Sequence, residues 1–194
     1  MSARPGDAGS DTVSDPGSDT VSDPDYHIGM DLTPKRAADS ATEMVQVVLP
    51  NDANPLGFIL GGTVMHLIDI AGAIACHRHT RSLLVTAAVD GLQFLHPIKV
   101  GDLIILRARV SAVWTTSLEV EVEVFSEETL TGVRRMTSSA YLTFVAVDRE
   151  GQRVPIPGLI LATDEDKQRA READQRRAER LRARRSLEER RAPE

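Results

Sequence analysis

Hydrophobic and polar positions alternate most regularly in residues 116–125. Leucine and valine side chains occupy every second position, and the positions between them hold Glu119, Glu121 and Glu123. A period of two predicts an antiparallel strand with one face in the core and the other in water. Four further runs of β-branched and apolar residues also predict strands, over residues 44–49, 84–94, 102–113 and 133–147.

A different period marks residues 61–78, where apolar side chains recur at spacings of 3, 4 and 7. This spacing predicts an α-helix, and because its opposite side is also nearly uncharged, we expect it to be buried on all sides. Short connections at residues 97–101, 114–115 and 127–132 predict hairpins between consecutive strands. The pattern therefore predicts an α+β fold in which an antiparallel meander wraps one long helix.

The two ends of the chain differ from this body in composition. Residues 1–40 are acidic and repeat the octad GSDTVSDP at 9–16 and 17–24, which predicts a disordered tail because little apolar surface is present. Residues 161–194 are rich in Arg, Glu and Ala, and they predict a solvated helix with charge pairs four residues apart. Binding of this tail to nucleic acid or a membrane surface is the alternative, which its interleaved acids disfavour. We therefore expect residues 41–160 to form the folded domain.

Composition narrows the function classes. The 194 residues carry a net charge of -6, which argues against nucleic acid as the partner. The single cysteine, Cys76, excludes a disulfide within the chain and a cysteine-rich zinc site, and it is expected in the core. The histidines form no HExxH pattern, so we expect no metal. Neither a secretion signal nor a membrane-spanning stretch is found, and a cytoplasmic protein without membrane insertion is expected.

Asp69 is the only formally charged side chain between Gly61 and His77. A carboxylate on an apolar helix is costly unless it is paired or hydrogen-bonded, which favours a group placed for proton transfer. A structural aspartate that reaches solvent or caps a neighbouring backbone group is the alternative. His66 lies three residues earlier and is either the partner of Asp69 or an ordinary hydrogen-bonded histidine.

Two further features lie before Asp69 in the chain. The pair Gly61 and Gly62 opens the helix, where free N–H groups stabilise negative charge such as a developing oxyanion. Close packing of the helix on the sheet would explain the same glycines. Asn54 precedes a proline in a loop, and it is either a turn residue or a hydrogen-bond donor to a water or a carbonyl.

Four sequence segments occur in the order that is typical of one enzyme family. They are NDANPLG at 51–57, GGTVMHLIDIAGAI at 61–74, VDGLQF at 89–94 and HPIKVGD at 96–102. Together they resemble the hotdog-fold acyl-CoA thioesterases, in particular the cytosolic acyl-CoA hydrolase branch. The resemblance covers roughly residues 42–158 and neither tail.

The resemblance implies a hotdog fold, a long central helix wrapped by a curved antiparallel sheet, in a homodimer paired edge to edge or a hexamer of three dimers. It implies hydrolysis of fatty acyl-CoA to a free fatty acid and CoA at the subunit interface, without a cofactor. By the same resemblance Asp69 is the general base or nucleophile, and Asn54 orients water or substrate across the interface. Gly61 and Gly62 then supply the amides that hold the thioester oxygen.

Hydroxyl and guanidinium groups are suited to the pantetheine and phosphates of CoA. The candidates for this part of the site are Thr115, Thr116, Ser117, Arg134 and Arg135. A non-catalytic hotdog module that binds acyl-CoA is the alternative function, because fold alone does not fix activity. A hotdog dehydratase, which uses an Asp–His pair on another stretch of the fold, is the third.

Overall fold

The structure is a computed structural model, and it describes residues 31–191 of the chain. Seven strands are present in this part: β1 Lys35–Arg36, β2 Thr42–Val47, β3 Leu83–Phe94, β4 Leu103–Val113, β5 Ser117–Glu127, β6 Arg134–Val147 and β7 Leu159–Ile160. The helices are α1 Ala37–Ser40, α2 Gly61–Thr80 and α3 Asp164–Arg191, with a 3-10 turn at Pro50–Asp52. None of the described helices is both long and apolar enough to cross a membrane.

Five strands form one antiparallel sheet in the order β2-β4-β5-β6-β3. The predicted helix over 61–78 and the five predicted strands are thereby confirmed, with bounds that differ by one or two residues. The α+β fold class is confirmed as well, in the form of a long helix packed against a single antiparallel sheet.

The predicted hairpin at residues 97–101 is wrong. β3 pairs with β6 at one edge of the sheet, and β4 lies near the opposite edge, so the connection crosses the sheet instead of turning back. Its backbone groups bond to the loop before α2, where Ile59 N donates to Ile98 O at 2.9 Å and Val100 N donates to Gly57 O at 3.0 Å. These bonds satisfy the connection, so it does not need β3 as a partner.

One face of α2 packs on the inner face of the sheet and forms the core. Ile68, Ala71 and Cys76 on the helix are buried with the leucine and valine positions of β5. At Gly72 a Cβ would lie 3.2 Å from the ring of Phe144, so the close approach of helix and sheet requires glycine there. Each fully buried aliphatic side chain contributes about 1.5–3 kcal/mol, which makes this face the main source of stability.

The expectation that α2 is buried on all sides is wrong for the single chain. The sheet covers one side only, and Met65 on the opposite side is 47% exposed. The edge strand β3 next to it also leaves apolar side chains in water, with Leu83 and Val85 exposed by 53% and 50%. An apolar helix side beside an apolar sheet edge is typical of a surface that another subunit covers.

The helix predicted within residues 161–194 is confirmed over Asp164–Arg191, but the expectation that it is solvated is wrong for its first half. α3 crosses the outer face of the sheet, where Ala173 is fully buried. Arg176 pairs with Glu119 of β5 at 2.7 Å, and Glu119 is fully buried beneath it. The glutamate face of β5, which the alternation assigns to water, is therefore partly covered by helix arginines.

The predicted disorder of residues 1–40 can be compared with the structure only from residue 31 onward, since residues 1–30 lie outside the described part. Residues 35–40 form β1 and α1, because Ala37 and Ser40 are buried and β1 pairs with β7. Lys35 also donates a hydrogen bond from Nζ to the backbone oxygen of His79 at 2.7 Å. The prediction of disorder is therefore wrong for residues 35–40.

Candidate active site

Asp69 lies in the middle of α2, on the side that faces the edge strand β3. Its Oδ1 accepts a hydrogen bond from Oγ1 of Thr86 at 2.7 Å. The side chain is half-buried in the single chain and lies at the rim of the core, in contrast to the expected burial. Within residues 31–191, His66 makes no hydrogen bond to Asp69, so the proposed His–Asp pair is absent and the hydroxyl of Thr86 is the partner.

Thr86 is a site residue that the sequence does not reveal. A threonine in a β-strand is ordinary, because its branched side chain suits the pleated surface. Asp69 and Thr86 lie on different elements, so no helical or strand spacing connects the two positions. Only the packing of α2 against β3 brings them together, and the pairing of Thr86 with Phe144 of β6 fixes the strand that carries it.

Asn54 lies in the loop before α2 and shapes that loop with its side-chain oxygen. Oδ1 accepts hydrogen bonds from the backbone N–H groups of Leu56 at 3.0 Å and Phe58 at 3.2 Å. The turn role considered for Asn54 is therefore present. Within the described part of the chain its Nδ2 amide has no hydrogen-bond partner, so two N–H donors stay available to another molecule.

The first turn of α2 begins at Gly61 and presents free N–H groups. Leu60 at the N-cap supplies no side-chain cap, and its own N–H donates to Asp52 O at 2.8 Å. A Cβ at position 61 would lie 3.5 Å from the ring of Phe94, in ordinary contact, and at Gly62 a Cβ would meet nothing within 4 Å. Packing on the sheet therefore does not explain Gly62. The open space leaves its amide accessible to an anion or a carbonyl oxygen.

A cavity of about 360 Å³ opens beside this turn. It is lined by Asn54, Phe58, Ile59, Gly61, Val64, Phe94, Leu95, His96, Pro97, Ile98, Thr137 and Ser138. Asp69 is not among its walls, since Gly61 and Asp69 are separated by about 12 Å of helix rise. In a single chain the structure thus brings Asn54 together with Gly61, and Asp69 together with Thr86, but it does not join the two pairs.

The candidate residues for CoA fall into two groups that one chain does not bring together. Thr115, Thr116 and Ser117 lie at the turn between β4 and β5, whereas Arg134 and Arg135 begin β6. In the ladder of β5 and β6, Ser117 pairs with Val145 at one end and Glu127 pairs with Arg134 at the other. With about 3.3 Å per residue the two groups are roughly 30 Å apart. Within one chain, therefore, the two groups do not lie close enough to contact the same part of a bound molecule.

Arg134 already has an ion-pair partner within the chain. Its Nη2 contacts Oε2 of Glu127 at 2.7 Å, and both side chains lie near the surface. An exposed pair of this kind contributes about 0–1 kcal/mol, so a phosphate could displace Glu127 at little cost. Arg135 shares the end of the sheet where the cavity opens, since Thr137 and Ser138 follow it on β6.

The environment of Cys76 disfavours nucleophilic cysteine chemistry. Cys76 is fully buried in the core, and burial raises the pKa of its thiol well above the ordinary value. The reactive thiolate is disfavoured there. Within residues 31–191 no three His, Cys, Asp or Glu side chains are grouped so that they could hold a metal ion.

The chain is similar in sequence to known acyl-CoA hydrolases. The family model of the thioesterase superfamily matches residues 56–133. An uncharacterized acyl-CoA thioester hydrolase of Bacillus subtilis is 40% identical over 119 residues, which are 61% of this chain and 69% of the relative. The human cytosolic acyl coenzyme A thioester hydrolase is 30% identical over 141 residues, 72% of this chain but 37% of the relative. The chain thus spans little more than a third of the human protein.

Solved structures show the same fold. An apo-hexameric acyl-CoA thioesterase superimposes with a TM-score of 0.74 at 36% identity, over 78% of this chain and 97% of that one. The acyl-CoA hydrolase of Staphylococcus aureus, in complex with butyryl coenzyme A, coenzyme A and coenzyme A disulfide, gives 0.71 at 34%, over 79% and 96%. Three single variants of the Staphylococcus aureus enzyme have also been solved, in which alanine replaces an aspartate, an asparagine or a threonine.

The fold and the cleft beside the helix define a hotdog-fold thioester hydrolase. The chain belongs to the thioesterase superfamily, in the acyl-CoA hydrolase branch that its motifs resemble.

Proposed function

We propose that this protein hydrolyses fatty acyl-CoA to a free fatty acid and CoA, with Asp69 as the general base that activates water. The observation that carries the proposal is the hydrogen bond from Thr86 to Asp69 on an otherwise apolar helix. It fixes one carboxylate oxygen and leaves the other, Oδ2, without a protein partner among the described residues. An oriented carboxylate with one free oxygen is suited to accept a proton from water.

The variants of the Staphylococcus aureus enzyme support this choice of residues. In that protein the replaced asparagine precedes the replaced aspartate, and the replaced threonine follows it. Asn54, Asp69 and Thr86 have the same order and the same two spacings here. The agreement includes Thr86, which the sequence motifs alone do not indicate.

The proposed oxyanion site is the start of α2. The N–H groups of Gly61 and Gly62 point out of the first turn, where the helix dipole favours negative charge. When water attacks the thioester, the carbonyl oxygen becomes anionic and is held by these amides. The free Nδ2 amide of Asn54 lines the same cavity and adds a donor to that oxygen or to the attacking water.

We further propose that a complete site is shared by two subunits of a homodimer. β3 is an edge strand with exposed apolar side chains, and pairing it with a second copy covers them. In an antiparallel pair the Phe94 end of one β3 lies beside the Thr86 end of the other. Because Phe94 and Gly61 line the same cavity, this pairing brings the cavity of one subunit to Asp69 of its partner.

Three further assignments belong to the proposal. CoA contacts Arg135 at the mouth of the cavity, while Thr115, Thr116 and Ser117 serve the site only if they come from another subunit. Dimers assemble into a hexamer, as in the hexameric neighbour. The location is cytoplasmic, as the name of the human relative states for that protein.

The test follows thiol release from acyl-CoAs of several chain lengths by wild type and by Asp69→Asn. The asparagine keeps the size and the bond to Thr86 but is no base, so turnover is expected to fall by about 10²–10⁴-fold with the fold intact. Binding of acyl-CoA by the wild type without any thiol release would support the non-catalytic module instead.

A second measurement detects a nucleophilic Asp69 whose acyl-enzyme anhydride is opened by water at the side chain. Single turnover in ¹⁸O-water places the label in the fatty acid if Asp69 activates water. Label found in the carboxylate of Asp69 would show that an acyl-enzyme anhydride forms and is opened by water at the side chain, against the proposed role.

A further inference from the structure

The cavity beside α2 holds a single titratable side chain among the residues that line it, and this side chain is His96. The other walls are apolar or neutral, and they include Phe58, Phe94 and Ile98. Imidazole is the side chain that exchanges a proton between pH 5 and 8. A lone imidazole in an otherwise uncharged cavity is therefore the available proton donor or acceptor there.

The backbone around His96 is held in place while its ring is left free. The N–H groups of Leu95 and His96 both donate to the backbone oxygen of Thr137, at 2.8 and 3.4 Å. Thr137 is buried and donates its own hydroxyl to Val124 O at 3.1 Å. Within residues 31–191 the imidazole of His96 makes no hydrogen bond, unlike those of His77 and His79. Both ring nitrogens are thus available to a bound molecule.

The proposed hydrolysis includes one proton transfer, to the departing sulfur, for which neither Asp69 nor Asn54 supplies the donor. Attack by water puts a proton on Asp69 and an oxygen on the acyl carbon. When the tetrahedral intermediate collapses, the C–S bond breaks and its electron pair leaves with the sulfur. A thiolate is costly next to apolar walls unless it is neutralised. The cavity wall therefore needs a donor near the sulfur.

We infer that His96 is the general acid that protonates the departing CoA sulfur, an inference that rests on the proposed hydrolase function. The imidazolium gives its proton to the sulfur, which forms the S–H bond of free CoA, and it regains a proton from solvent. Asp69 returns the proton of water to solvent. The overall change is the addition of water, with hydroxyl on the acyl carbon and hydrogen on sulfur.

The test compares two leaving groups in wild type and His96→Gln. One substrate is an acyl-CoA, and the other is the 4-nitrothiophenyl ester of the same acid, whose arenethiolate leaves without a proton. With acyl-CoA, kcat is expected to fall by about 10²-fold or more, because general acid catalysis contributes at least this much. With the aryl thioester it is expected to stay within about threefold of wild type, because its transition state needs no acid.

His77→Gln is the matched control, since His77 is an exposed histidine near the end of α2 that does not line the cavity. It is expected to leave both activities unchanged. His96→Ala adds a second readout, because imidazole in the buffer is expected to restore acyl-CoA turnover in that variant. An equal loss with both substrates, or no loss with either, would overturn the general-acid role while leaving the hydrolase function intact. Absence of thiol release by the wild type would remove both.

Discussion

The ion pair between Arg176 and Glu119 is expected to hold α3 on the sheet. The guanidinium makes two hydrogen bonds to the carboxylate, Nη2 to Oε1 at 2.7 Å and Nε to Oε2 at 3.2 Å. Ser111 donates a third from Oγ at 2.8 Å, and the guanidinium also lies 3.6 Å from the ring centre of Tyr141. Glu119 is fully buried, so replacing Arg176 leaves a buried charge without its partner.

Breaking a buried pair in this way costs about 3–5 kcal/mol. We therefore predict that Arg176→Met lowers the free energy of unfolding by about that amount. At about 2–4 °C per kcal/mol for a chain of this size, the melting temperature falls by roughly 6–20 °C. Calorimetry or urea unfolding measures the change. In the double variant Arg176→Met with Glu119→Gln most of the loss is recovered, because no buried charge is left.

Arg184→Met is the control on the same helix. Arg184 is exposed, and among the described residues it pairs only with Glu188, four residues later, at 2.8 Å. Such a pair contributes about 0.3–0.5 kcal/mol, so this variant is expected to remain near the wild type. If Arg176→Met destabilises the protein no more than Arg184→Met, the docking of α3 through this pair is refuted.

Three other changes test the site and the core. Thr86→Val removes the hydrogen bond to Asp69, so kcat is expected to fall by about 10-fold or more while Thr86→Ser stays near wild type. Gly62→Ala meets no neighbour, so stability is expected to hold while steady-state thioesterase activity falls because the first-turn amide is obstructed. Burial lowers the pKa of His79 below its ordinary value of 6.5, so unfolding stability is expected to decrease as the pH falls below that value. Urea titrations at several pH values should show a flatter dependence for His79→Gln.

Local pattern predicts most of the elements and singles out the carboxylate that is proposed to react. The alternation in β5 and the helical period of α2 reflect the backbone geometry of each element alone, so the sequence is sufficient to predict both elements. Asp69 stands out for the same reason, as one charge on an apolar helix.

Features that depend on contacts between distant elements cannot be predicted from local pattern. The crossing connection after β3 follows from bonds to the loop that precedes α2, far from it in the chain, and Thr86 joins Asp69 only through packing. The glutamates of β5 have the alternation of a solvated face, but α3, from a distant part of the chain, supplies arginines that cover Glu119. The expectation that one chain buries α2 on all sides is wrong for a similar reason. An apolar surface predicts burial, but it does not indicate whether the covering residues belong to the same chain or to another.

Subunit complementation tests the shared site most directly. Asn54→Ala and Asp69→Asn are each expected to be nearly inactive, and the two proteins are unfolded and refolded together. Random pairing of the two variants makes half of the dimers mixed. If Asn54 acts with Asp69 of the partner, each mixed dimer holds one intact site, so about a quarter of wild-type activity returns. Refolding each variant alone gives the baseline. A mixture that stays at that baseline would contradict the account, because it would place Asn54 and Asp69 in the same subunit's site.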